Sequence, residues 1–214
     1  MERRVTMIGR KAAVRLQLGA GRRITPLIDD GTAVAKLKLY LRDCLDHKTL
    51  REAAYRCDVS VSTLSKALNG TALPNRKLVR QLARLTGNKE TVARADTLWR
   101  LAAIEDLGLQ PKDLIFPNPQ TVAELATVLR AYLVDNNHRY ELTPDSVAML
   151  SRHDKTADGS VSTSTINRML SGKKLPSDKA LVAFLSVVGV NATIRAKLLT
   201  ARNVLAEERR QVAV

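Results

Sequence analysis

The chain has 214 residues, 45% apolar and only 3% aromatic, so it has room for one large or two small domains packed on Leu, Val and Ala. Lys and Arg total 35 against 21 Asp and Glu, and the net charge of +14 points to a polyanionic partner, nucleic acid ahead of membrane. Two cysteines exclude a disulfide scaffold and a four-Cys zinc site, and no apolar run reaches the ~18 residues of a membrane span.

Along the chain, residues 1–34 carry net charge +4. Two readings of this segment stay open. Val5–Ile8 and Val14, Leu16 and Leu18 alternate like the strands of a short hairpin. Arg3, Arg4, Arg10, Lys11, Arg15, Arg22 and Arg23 equally suit a basic arm that orders on nucleic acid. Residues 35–107 form a first domain, with helices expected near 32–46, 49–56, 61–69, 75–86 and 89–106. Three prolines (Pro111, Pro117, Pro119) within residues 108–120 cannot continue a helix, so this stretch reads as an interdomain linker. Residues 121–214 form a second domain, with helices expected near 120–135, 144–152, 163–171, 177–188 and 191–209. Ser60 and Ser162 are the expected N-caps, and Thr143-Pro144-Asp145 is a strong helix start. Gly70 and Gly172 stand where a left-handed C-terminal residue is wanted. The fold class is therefore all-α.

The two domains are copies of one unit. Ser62-Thr63-Leu64-Ser65-Lys66-Ala67-Leu68-Asn69-Gly70 through Leu73-Pro74 matches Ser164-Thr165-Ile166-Asn167-Arg168-Met169-Leu170-Ser171-Gly172 through Leu175-Pro176 at a constant offset of 102. Gly87 pairs with Gly189, Thr91 with Thr193 and Arg100 with Arg202 at that same offset. Upstream, Leu41-Arg42 aligns with Leu129-Arg130, and the second copy then carries 14 more residues.

The stretch Thr49 to Gly70 is the most informative. Two short helices joined by a tight turn must bury one face on each other. That needs a small residue at the closest approach, here Ala54, and inward apolar residues at Ala53, Cys57, Val59, Leu64 and Ala67 or Leu68. The other face of the second helix stays polar: Ser62, Thr63, Ser65, Lys66, Asn69. Short polar side chains let a helix enter the major groove deeply, while a longer cation reaches guanine or a phosphate.

This segment resembles the helix-turn-helix of the λ-repressor-like (Xre/Cro-type) DNA-binding proteins, and its second helix is similar to the LacI-type version. The resemblance implies two tandem five-helix domains. It places Val61, Ser62, Thr63 and Lys66 at DNA, with Thr163, Ser164, Thr165 and Arg168 in the second copy and Lys173 and Lys174 on phosphates. Ser65, Asn69, Arg76 and Asn167 complete the expected DNA-binding set. The sequence departs from the family where the turn, usually Gly, has Asp58, a residue that tolerates a left-handed backbone. The second turn, Arg152 to Ser160, is about eight residues longer. A degenerate copy used for dimerisation is the alternative for that unit.

No Walker loop, dinucleotide Gly pattern or zinc-ligand spacing occurs, so no cofactor is expected. The three histidines are scattered, and His138-Arg139-Tyr140 lacks the surrounding Arg and His of a recombinase or endonuclease; no enzyme is expected. Cys44 and Cys57 read as buried apolar residues and Trp99 as a core anchor. The expected function is sequence-specific duplex DNA binding by a bacterial or phage transcriptional regulator. The expected setting is cytoplasmic and nucleoid-associated. Two covalently joined, non-identical heads suit an asymmetric site, with sub-sites ~34–36 Å apart if both lie on one DNA face. A homodimer on a longer palindrome is the other arrangement. A DNA-maintenance accessory protein and a protein-interaction scaffold are the competing classes. No membrane partner and no effector pocket are recognisable.

Overall fold

The computed structural model describes residues 29–45, 48–136, 142–153 and 160–212; the hairpin or arm expected before residue 29 lies outside them. Among the described residues there are eleven α-helices and no strand. No helix among them is long and apolar enough to cross a membrane. The chain divides into two compact units, residues 1–99 and 100–214, so the boundary falls inside the fifth helix.

The first unit contains α1 (Ala33–Leu45), α2 (Leu50–Arg56), α3 (Val61–Asn69), α4 (Arg76–Arg84) and the larger part of α5 (Lys89–Asp106). Its core is aliphatic, as so few aromatics require. Leu37, Leu41 and Leu45 of α1, Leu64 and Leu68 of α3 and Leu82 of α4 are all fully buried, and α1 packs on both α3 and α4. Burying each such leucine contributes roughly 1.5–3 kcal/mol. Trp99 fastens α5 to the end of the α3–α4 connection, its indole N–H donating to the Pro74 carbonyl at 2.8 Å.

The second unit contains the end of α5, α6 (Pro111–Ile115), α7 (Val122–Asp135), α8 (Pro144–His153), α9 (Thr163–Leu170), α10 (Asp178–Val188) and α11 (Ala192–Val212). The apolar α10 lies at the centre, packed on α8, α9 and α11, with Phe184 completely enclosed. Residues 108–120, expected to be a linker, hold α6 and pack within this unit. Pro111 opens that helix, where a missing N–H does no harm, and Asp113 accepts from the Gln110 N–H at 2.7 Å. Leu114 is buried in the unit's core, and the Tyr132 hydroxyl donates to the Leu114 carbonyl.

The remaining helices begin and end within three residues of their expected bounds. Ser60, Thr121, Ser162 and Ser177 each satisfy a free N–H of the first turn with the side-chain oxygen.

Candidate nucleic-acid interface

In the first unit the surface of interest is held by three local devices. Thr49 starts α2 by accepting from the Glu52 N–H at 3.1 Å. The chain then reverses: the Cys57 N–H bonds the Ala53 carbonyl and the Val59 N–H bonds the Ala54 carbonyl, both at 3.0 Å. Asp58 takes φ +52°, the only non-glycine residue with positive φ among the described residues. The aspartate thus occupies the left-handed turn position expected of it. Ser60 starts α3, its Oγ accepting from the Thr63 N–H at 3.0 Å. Leu64, Ala67 and Leu68 turn inward, and Val61, Ser62, Thr63 and Lys66 lie exposed on the opposite face.

The C-terminal end of α3 is gripped by α1. Lys38 and Arg42 are both buried, although both are cations on a leucine-rich helix. The Lys38 ammonium donates to the Gly70 carbonyl. Arg42 donates to the Leu68 carbonyl at 3.2 Å and to Oδ1 of Asn69. Two cations thereby meet the negative end of a helix, where carbonyls lack intrahelical partners. Burial pushes the Lys38 ammonium below its usual range, and the neighbouring Arg42 charge adds to the effect. Gly70 has φ −69° and is not left-handed, contrary to expectation. It is glycine for a different reason, since a Cβ there would stand 2.5 Å from the Lys66 carbonyl oxygen.

This grip turns two of the residues expected at DNA partly inward. Asn69 is half-buried, its carbonyl oxygen taken by Arg42 and its NH2 donated to Ser65 Oγ at 3.2 Å. Ser65 is half-buried with it. Arg76 is buried at 6% exposure and folded inward on Asp96, with the Trp99 ring 5.1 Å from its guanidinium carbon. It therefore braces α4 to α5, its charge paired with the Asp96 carboxylate.

The second unit builds the same surface by another route. The residues between α8 and α9 numbered 154–159 lie outside the described set. The approach to α9 is fixed by Ser151, a fully enclosed hydroxyl on α8 that accepts from the Val161 N–H at 3.1 Å. Ser162 then caps α9, accepting from the Thr165 N–H at 3.2 Å. Ile166, Met169 and Leu170 turn inward. Ser164, Asn167 and Arg168 are exposed on α9, Lys173 and Lys174 are exposed beyond it, and Thr163 and Thr165 are half-buried. Gly172 does adopt the left-handed form, φ +69°, and a Cβ would press on Ala123 Cα of α7 at 3.2 Å.

Sequence reasoning missed Lys38, Arg42 and Ser151. The one available signal was charge on the leucine stripe of α1, where a solvated face would not carry Leu37 and Leu41 beside it. Cys44 and Cys57 are free and buried, and burial raises the Cys44 thiol to about 11. Among the described residues no group of three or more His, Cys, Asp and Glu is placed to hold a metal.

Each unit thus presents a short N-capped helix with one buried face and one exposed face, which carries Ser62, Thr63 and Lys66 on α3 and Ser164, Asn167 and Arg168 on α9. The chain matches no protein-family model, no curated protein and no solved structure.

Proposed function

We propose that the chain binds duplex DNA sequence-specifically through two helix-turn-helix units, α2–α3 and α8–α9, and acts as a transcriptional regulator. The observation that carries this reading is the repeated polar face: Ser62, Thr63 and Lys66 on α3, and Ser164, Asn167 and Arg168 on α9, all exposed. Such faces are short enough at the serines and threonines for a backbone to approach base edges. They carry a cation one turn further on that reaches guanine or phosphate. The net charge of +14 supports the same partner, because phosphate neutralisation supplies affinity without sequence information. Lys173 and Lys174 supply part of it beside α9. The inward turn of Arg76 narrows the first unit's contacts without removing its exposed face.

The test is binding of the full chain to duplex DNA across a salt series, followed by selection from a random duplex pool. Steep loss of affinity with salt and enrichment of a defined sequence are expected. Salt-insensitive or absent duplex binding overturns the reading in favour of a protein-interaction scaffold. Sites mapped to a replication or transfer origin rather than a promoter replace the regulator with a DNA-maintenance protein.

A further inference from the structure

We propose that base discrimination resides in the second unit, where Asn167 reads an adenine and Arg168 a guanine, while the first unit docks with little discrimination of its own. This rests on the reading of α3 and α9 as groove helices. It assigns the stronger role to the copy whose motif is less regular.

Equivalent positions in the two units stand 102 residues apart. In the first unit the slots are Ser65 and Lys66; in the second they are Asn167 and Arg168. Ser65 is half-buried and its oxygen accepts from Asn69, which is itself held by Arg42. That clamp draws one reading position of α3 into the protein. Among the described residues the second unit shows no such clamp. Ser171 stands in the Asn69 slot and turns back to the Arg168 carbonyl at 2.9 Å. Arg130, the counterpart of Arg42, is exposed and bonds Thr127 on its own helix at 2.9 Å. Asn167 and Arg168 are left exposed, and neither side chain forms a hydrogen bond or ion pair among the described residues.

The chemistry of the two pairs differs in kind. A carboxamide presents one donor and one acceptor that match adenine N6 and N7, and a guanidinium presents two donors that match guanine O6 and N7. Both are two-point contacts that wrong bases cannot reproduce. A serine hydroxyl bonds most base edges, and a lysine ammonium is a point charge with freely turning donors. Asn167 and Arg168 are about 100° apart around the helix, so they address neighbouring base pairs instead of one.

The experiment is selection from a random duplex pool by the full chain and by its Asn167→Ala, Arg168→Ala, Arg168→Lys and Lys66→Ala variants. Affinity for the selected site and for random DNA is measured for each, and a thermal melt confirms that each exposed-site variant stays folded. Wild type is expected to select a sub-site with a fixed adenine and a fixed guanine. Asn167→Ala should flatten the adenine and Arg168→Ala the guanine, each losing about tenfold of the preference over random DNA. Arg168→Lys should keep affinity for random DNA and still lose the guanine. Lys66→Ala should change the preference less than about threefold. A larger loss of preference in Lys66→Ala than in Arg168→Ala overturns the assignment while leaving DNA binding intact. Failure of the wild type to enrich any sequence overturns the underlying reading itself.

Discussion

Arg76 and Asp96 are joined by two parallel hydrogen bonds, Nε to Oδ1 at 2.8 Å and Nη2 to Oδ2 at 2.6 Å. Arg80 adds two more, Nε to Oδ1 at 2.9 Å and Nη2 to Oδ2 at 3.3 Å. Burial works to raise the Asp96 carboxyl, but the bonds and charges of Arg76 and Arg80 outweigh it and hold the group below its ordinary value of 3.8. A carboxylate with a depressed folded-state value stabilises the fold above its unfolded value, and that contribution is lost as pH falls through the folded value. Urea titrations of wild type should therefore show stability declining below about pH 4, and Asp96→Asn should show a flatter decline there. Asp96→Ala leaves a buried guanidinium without its partner, and a loss on the order of 3 kcal/mol is expected at neutral pH. Identical acid profiles for wild type and Asp96→Asn would rule the linkage out.

The anchoring of α3 by α1 has its own consequence. Arg42→Ala deprives the Leu68 carbonyl and Asn69 of a buried donor, and leaving such groups unsatisfied costs about 1–3 kcal/mol. The variant should unfold at correspondingly lower urea concentration. It should also release Asn69 and Ser65, so that its circular dichroism stays helical while hydrogen exchange accelerates at Leu68 and Asn69. Unchanged exchange at those amides would show that Lys38 alone holds the helix end.

These contacts mark the limit of what the sequence discloses. Helix positions follow from apolar spacing and from Ser, Thr and Pro at the starts, because those signals lie within one turn of what they control. Asp58 in the left-handed turn was legible for the same reason. Arg76 and Asn69 were not. Each is a polar residue at a helix end, indistinguishable in pattern from an exposed reader, and its partner sits 20 or 27 residues away on another helix. The stretch at residues 108–120 misled in a similar manner. Its prolines do exclude a long helix, yet Pro111 is harmless at a helix start, and Leu114 gives the segment a side chain to bury.

Asp58 allows a direct test of the turn. A left-handed residue with a Cβ carries roughly 1–2 kcal/mol of strain, less for aspartate, whose side chain bonds locally. Asp58→Gly relieves that strain but frees the unfolded chain by about 0.5–1 kcal/mol. The two nearly cancel, so its stability should stay within about 1 kcal/mol of wild type. Asp58→Val keeps the strain, adds β-branching and should lose about 2 kcal/mol. Thermal melts of the two variants settle the point; a valine as stable as the glycine would mean that the turn relaxes to another backbone form.

Gly70 and Gly172 stand at equivalent positions yet differ in backbone, φ −69° and +69°. Alanine at residue 70 would meet the Lys66 carbonyl oxygen at 2.5 Å, and that oxygen is fixed backbone. The end of α3 must unwind to admit it. Alanine at residue 172 faces both a left-handed φ and the Ala123 Cα at 3.2 Å. Gly172→Ala should lose more than about 1 kcal/mol, the left-handed penalty alone, and Gly70→Ala should be destabilised by the clash of its Cβ with the Lys66 carbonyl oxygen, not by its φ. Denaturation midpoints measured on single-alanine variants provide the check, and a neutral Gly70→Ala would show that the Lys66 carbonyl can move.

Phosphate contacts and base contacts separate by their salt dependence. Lys173 and Lys174 are exposed just past α9, beyond the helix face that carries Arg168. A lysine on a phosphate contributes equally to every sequence and displaces about one counterion. Lys173→Ala with Lys174→Ala should therefore weaken selected and random DNA by the same factor and flatten the salt dependence by about two counterions. Lys66→Ala with Arg168→Ala should weaken the selected site more than random DNA, because the Arg168 contact goes to a base edge. Equal losses on both DNAs for this second pair would reduce Lys66 and Arg168 to phosphate ligands. The specificity would then have to come from Asn167, from the hydroxyls of Ser62, Thr63 and Ser164, or from the shape of the duplex.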